Sequence, residues 1–166
     1  MSPINPVLAE LAFHGKRQIR INQILAIARD VHAANWKPAS DESAGDKLAS
    51  KITKEWQRRA CELPNGIQKE VEVSEDLNEK IDLLDTQDHI AYEMKVSGKN
   101  PQHEFYKDIF KIMVYNKGCR DNQQKIQTFV FVTEKNGAKK LHQGMAAAVA
   151  ATGQTLGFCI RVEGIS

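Results

Sequence analysis

Residues 90–96 alternate: Ile90, Tyr92, Met94 and Val96 fall on one face, and Ala91, Glu93 and Lys95 on the other. That is the two-residue period of a β-strand. Residues 81–84 form a shorter apolar run interrupted by Asp82, and the stretch 85–89 between the two runs is polar and turn-like. The pattern predicts a hairpin. Elsewhere the period lengthens. Ile21, Ile24, Leu25, Ala28 and Val31 predict an amphipathic helix over 18–34, and Phe105, Ile109, Ile112 and Met113 a second over 102–116. Further helices are expected at 7–13, 46–61 and 138–152, the first broken by His14-Gly15, and further strands at 67–74, 125–133 and 155–162. Residues 35–45 and 117–124 read as loops, and 63–66 and 134–137 as turns.

The hairpin carries the candidate chemistry. If its turn is centred between Gln87 and Asp88, Asp82 lies directly opposite Glu93, with Cβ atoms about 5 Å apart. Two bare carboxylates at that range repel, and one takes up a proton unless a cation sits between them. A hard cation with oxygen ligands, such as Mg²⁺, resolves the conflict. Lys95, on the same face as Glu93, would then lie near a phosphate oxygen or an attacking water. The same alternation is also the ordinary dress of a half-exposed antiparallel strand. Leu83, Leu84, Ile90 and Val96 predict burial on at least one face, where an unpaired charge is costly.

Ile81-Asp82 and Glu93-Met94-Lys95 give the chain a resemblance to the PD-(D/E)xK nuclease superfamily, the restriction-endonuclease-like fold, with Ile81 where the motif has proline. The resemblance covers roughly residues 46–133, in the order helix, three-stranded meander, helix, strand. It implies an α/β fold: a restriction-endonuclease-like core with a central mixed β-sheet flanked by helices, extra helices in an N-terminal extension over 1–40, and a single domain over 1–166. It also implies a Mg²⁺-dependent endonuclease that hydrolyses DNA phosphodiester bonds, with Mn²⁺ as a substitute ion, in a restriction or defence role. A repair or recombination nuclease such as a junction resolvase is equally permitted, as is a non-catalytic nucleic-acid-binding module on the same fold. Asp82 and Glu93 would hold the metal and Lys95 would assist. Glu55, in the first core helix, would complete the ion's shell. Glu70 and Glu72 could replace it or face water, while Glu42 and Glu62 sit at or beyond the helix ends. One relative group carries Q-x-x-x-Y in the second core helix; here Lys111 stands in place of Gln, ahead of Tyr115. Tyr106, Lys107 and Lys111 would line the DNA groove, with Lys51 and Arg58 as further contacts. The other reading of Tyr106, Lys107 and Lys111 is an ordinary amphipathic helix.

Composition changes this picture little. The chain has 166 residues, 42% hydrophobic and 27% charged, and a formal net charge of +2, ordinary for one globular domain. The net charge argues neither for nor against DNA. Its distribution says more: acids crowd 70–88, and bases cluster at 16–20, 47–59 and 135–140. No apolar run reaches membrane-spanning length, and the first residues lack the pattern of a signal peptide. Cys61, Cys119 and Cys159 are odd in number and widely spaced, which fits neither a disulfide framework nor a zinc site and suggests reduced thiols in a cytoplasmic protein. No Gly-rich phosphate loop or nucleophile elbow is present. The helix at 18–34 could pack on the sheet or form a homodimer interface, and a partner subunit for specificity is conceivable in so small a chain.

Overall fold

The computed structural model describes residues 6–37, 42–64, 66–96, 100–121 and 124–165. Among them, five helices and five strands follow in the order α1 (Pro6–Asn35), α2 (Glu42–Ala60), β1 (Ile67–Ser74), β2 (Leu77–Asp85), β3 (Ile90–Lys95), α3 (Pro101–Gly118), β4 (Thr128–Thr133), α4 (Lys135–Leu141), α5 (Gly144–Ala151) and β5 (Cys159–Gly164). The strands form one sheet in sequence order. β1, β2 and β3 pair antiparallel, while β3, β4 and β5 pair in parallel. The mixed sheet follows from its connections: tight turns reverse direction, whereas helical crossovers preserve it.

Each face is covered. Ile24, Leu25, Ala28 and Val31 of α1 and Ile52, Trp56 and Ala60 of α2 pack with Leu83, Ile90, Tyr92, Met94 and Val130 on one side. The buried α2 positions recur every four residues, which places them on one stripe. Trp56 is fully buried, and its indole N–H donates to the Ile24 carbonyl at 3.3 Å. On the other side Phe105, Ile109 and Ile112 of α3 meet Ile81, Leu84, Ala91, Phe129 and Phe131, joined by Ala138, Leu141 and Ala146. Every residue of β4 is buried, as expected of a central strand between two helical layers.

Several boundaries differ from expectation. His14-Gly15 does not end a helix: α1 runs through it, because a mid-helix glycine costs only about 1 kcal/mol relative to alanine. The expected loop 35–45 is helical from Glu42 onward; residues 38–41 lie outside the described ones. The stretch 134–137 opens α4 instead of turning, with the Ala138 amide donating to the Glu134 carbonyl at 2.9 Å. The single helix expected over 138–152 is split into α4 and α5, with Gly144 at φ 59°, a left-handed conformation that glycine adopts without penalty. β4 and β5 begin later than the apolar runs suggested. No helix among the described residues is long and apolar enough to cross a membrane.

Candidate functional site

The hairpin register is the expected one. Asp85 pairs with Ile90, Leu84 with Ala91 and Leu83 with Tyr92. The next pair in that register would be Asp82 and Glu93, but the ladder stops short of it. On the other side of β2, the ladder holds Lys69↔Leu83 and Val71↔Ile81 without an intervening pair. The residue facing Asp82 there is Glu70, at a left-handed φ of 51°. The β1–β2 ladder is therefore interrupted opposite Asp82 by the backbone of β1. The Asp82 side chain takes over the lost ladder contact: Oδ2 accepts the Met94 amide at 2.9 Å. Gln57 of α2 donates to the Asp82 carbonyl at 3.2 Å and to Oδ1 at 3.4 Å.

Asp85 sets the turn. Its Oδ1 accepts the Gln87 amide at 3.0 Å and the Asp88 amide at 2.9 Å, the usual way aspartate mimics a backbone turn. Arg20 Nε stands 3.2 Å from its Oδ2.

Glu93 and Lys95 face α3, and α3 answers with charge of its own. Glu93 is fully buried. Its Oε1 accepts from Lys111 Nζ at 2.6 Å. Lys111 Nζ also reaches Asp108 Oδ1 at 2.8 Å and the Lys80 carbonyl at 2.9 Å. Lys95 Nζ lies 3.6 Å from Glu93 Oε2, 3.5 Å from Asp108 Oδ2 and 3.6 Å from Glu104 Oε2. Three carboxylates thus share two ammonium groups.

That imbalance sets the protonation states. Burial pushes the Glu93 carboxyl well above its ordinary range; Asp82 and Asp108 push it further, against the pull of Lys111 and Lys95. Burial also raises Asp108, against the pull of Lys95 and Lys111. For Lys95 burial acts the other way, but Asp108, Glu93, Asp82 and Glu104 outweigh it and hold the ammonium above its usual value. Lys111 is raised for the same reason, with Glu93 and Asp108 overcoming burial.

The other expected residues are placed apart from this centre. The Glu55 carboxylate is held by Arg58 at 2.9 Å from two guanidinium nitrogens. Residues two apart on a helix point about 200° away from each other, so α2 offers Gln57 to Asp82 and turns Glu55 to the surface. Glu70 lies 3.9 Å from Lys80, and Glu72 is exposed. Lys111, expected in a DNA groove, is a buried partner of Glu93. Lys107 pairs with Glu79 at 2.9 Å, and the Tyr106 ring packs 5.7 Å from that of Phe105. Lys51 and Arg58 line a cleft of about 730 Å³ together with Lys47, Lys54, Gln57 and Lys69.

Among the described residues, no group of three or more His, Cys, Asp or Glu side chains is gathered to hold a metal ion. The pair Asp82 and Glu93 still fits a hard divalent cation. Glu93 Oε2 is buried without a hydrogen-bond partner, and Mg²⁺ needs only one or two carboxylates, its remaining ligands being water and substrate phosphate.

Asp108, Glu104 and Gln57 complete the centre but were not among the expected residues. A weak signal existed: Glu104, Asp108 and Lys111 follow a helical row beside the core row Phe105, Ile109 and Ile112. No family model, curated protein or solved structure matches the chain.

Proposed function

We propose that this protein is a Mg²⁺-dependent endonuclease with a restriction-endonuclease-like core, hydrolysing DNA phosphodiester bonds. The observation that carries this reading is the convergence of Asp82, Glu93 and Lys95 where both ladders skip Asp82, with Glu93 Oε2 buried without a hydrogen bond and held only by the Lys95 ammonium at 3.6 Å.

Asp82 and Glu93 would hold the ion. When bound, it would lower the pKa of a coordinated water and offset charge on the scissile phosphate. Lys95 keeps its proton at neutral pH because the surrounding carboxylates outweigh burial. It is therefore a donor and not a base: it can steady the negative charge that grows on the phosphate oxygens, but it cannot take a proton from the attacking water. Asp108 and Glu104 act through Lys95, fixing its amine by ion pairs at 3.5 and 3.6 Å. Lys111 acts through Glu93, tying Oε1 and leaving Oε2 for the ion. Gln57 orients Asp82.

One observation favours a second reading, a non-catalytic nucleic-acid-binding module. Lys111 already supplies Glu93 with a cation, so the acid has a partner without metal.

Cleavage of supercoiled plasmid with Mg²⁺, Mn²⁺ or EDTA separates the two. Asp82→Asn is the informative variant, because its amide oxygen can still accept the Met94 amide while the charge is lost. Metal-dependent nicking that disappears in Asp82→Asn supports the nuclease. Retained activity in the variant sinks the mechanism, and absence of cleavage with any metal, in a folded protein, favours the binding module.

A further inference from the structure

Basic residues converge on one cleft beside the candidate centre. It is bounded by α2 and β1 and lined by Lys47, Lys51 and Lys54 of α2 and Lys69 of β1, with Gln57 on its wall and Glu55 and Glu70 at its edge. Lys47, Lys51 and Lys54 lie at helical spacings of four and three, one above the other on a single face. They span about 10 Å along the helix axis. All three are exposed, as is Lys69. Among the described residues none of the four makes an ion pair. Arg58 at the end of the row differs: its guanidinium is occupied by Glu55 and Glu62.

We infer that this cleft carries the sugar-phosphate backbone of double-stranded DNA, running along α2 and not along α3. The inference rests on the nuclease reading for its choice of polyanion and deepens it by naming the strand path. Three features support it. The cations stand in a row, as a linear array of phosphates requires. Gln57 connects the cleft to Asp82 by its hydrogen bonds, so a strand seated there passes the acid end of the centre. Among the described residues, no aromatic side chain lines the cleft. Single-strand binders stack bases on aromatic rings; a lysine-rich surface reads phosphates and leaves bases paired, and the two acids of the lining, Glu55 and Glu70, are tied to Arg58 and Lys80. The α3 alternative is weakened by its own contacts, since Lys111 is buried and Lys107 is paired with Glu79.

Four phosphate contacts predict a salt slope of about −3.6, hence a roughly hundredfold loss of affinity between about 50 and 200 mM salt. The test is fluorescence anisotropy of the full chain with a labelled DNA duplex and with one of its strands alone, in EDTA so that no chemistry intervenes. Vesicles of phosphatidylserine and a polyglutamate peptide serve as competitors. The expected result is duplex preference, with each of Lys47→Ala, Lys51→Ala, Lys54→Ala and Lys69→Ala flattening the slope by about 0.9. Lys107→Ala should leave it unchanged. Tighter binding of the single strand, displacement by vesicles or peptide as effective as by duplex, or an unaltered slope in the lysine variants would overturn the inference. Failure here with metal-dependent cleavage intact leaves the nuclease standing. Duplex binding of this form without cleavage removes the nuclease and keeps the cleft.

Discussion

Lys111 Nζ lies 2.6 Å from Glu93 Oε1, between α3 and the sheet, with the lysine side chain 8% exposed and the glutamate 0%. Removing one member of a buried pair strands the other, which costs about 3–5 kcal/mol, whereas replacing both by apolar groups can be neutral. Lys111→Met is therefore expected to destabilise the fold by about 3 kcal/mol, and adding Glu93→Leu to recover much of that. Urea unfolding of the two single variants and the double variant decides it. A loss below about 1 kcal/mol in Lys111→Met would mean that the pair is solvated.

Stability should fall as pH rises from the ordinary carboxylate range. Glu93 and Asp108 have raised folded-state values, so in the window above the unfolded value the native state binds more protons, and the slope of unfolding free energy against pH is negative. Glu93→Gln should flatten that decline. At alkaline pH the raised Lys95 and Lys111 contribute stability that is complete below the unfolded lysine value and is lost as pH climbs through the folded one. Thermal melts across this pH range, wild type beside Glu93→Gln, provide the check; identical profiles would count against the assignment.

Divalent metal should interact with that same proton. Binding at Asp82 and Glu93 requires both carboxylates ionised, so Mg²⁺ is expected to raise the melting temperature more at pH 8 than at pH 6. Chelation with EDTA should reverse the gain, and Glu93→Gln should abolish it. Melting with and without Mg²⁺ at both pH values measures the effect; a pH-independent gain would place the ion elsewhere.

Lys95→Met should lower the cleavage rate by about 10²–10³, the usual worth of one preorganised donor to developing charge. The pH–rate profile of the wild type should show no basic limb from Lys95 through neutrality, because its ammonium is held above the ordinary value. Single-turnover cleavage across pH tests both statements.

Gly15 sits inside α1 with no heavy atom within 4 Å of where a Cβ would stand. Gly15→Ala is expected to stabilise the protein by about 0.5–1 kcal/mol, measurable by urea unfolding.

The hairpin and its register were legible in the sequence because a two-residue period and a polar turn determine which residues face each other. Ile67–Ser74, the first strand, had the expected bounds for the same reason. Gln57 was not legible: choosing it over Glu55 requires knowing which face of α2 Trp56 buries. Asp108 was hidden differently. Beside Ile109 and Ile112 it reads as the polar edge of an amphipathic helix, and only the parallel crossover from β3 to β4 lays that edge over Glu93 and Lys95. The division of 138–152 into two helices depends on a single glycine conformation, which an alanine-rich stretch does not announce.

Lys111 has one more bond, to the Lys80 carbonyl, a residue 31 positions earlier. The two lie at opposite ends of a continuous β-β-α stretch that also contains Asp82, Glu93, Lys95, Glu104 and Asp108. The ammonium is therefore a clasp: it fastens the end of this stretch to its beginning. Closing a loop of that length costs about 3 kcal/mol in chain entropy, a modest demand compared with joining distant parts of a chain. The charged centre is thus drawn from one local stretch of chain, whereas the lysine cleft needs α2 and β1 from outside it.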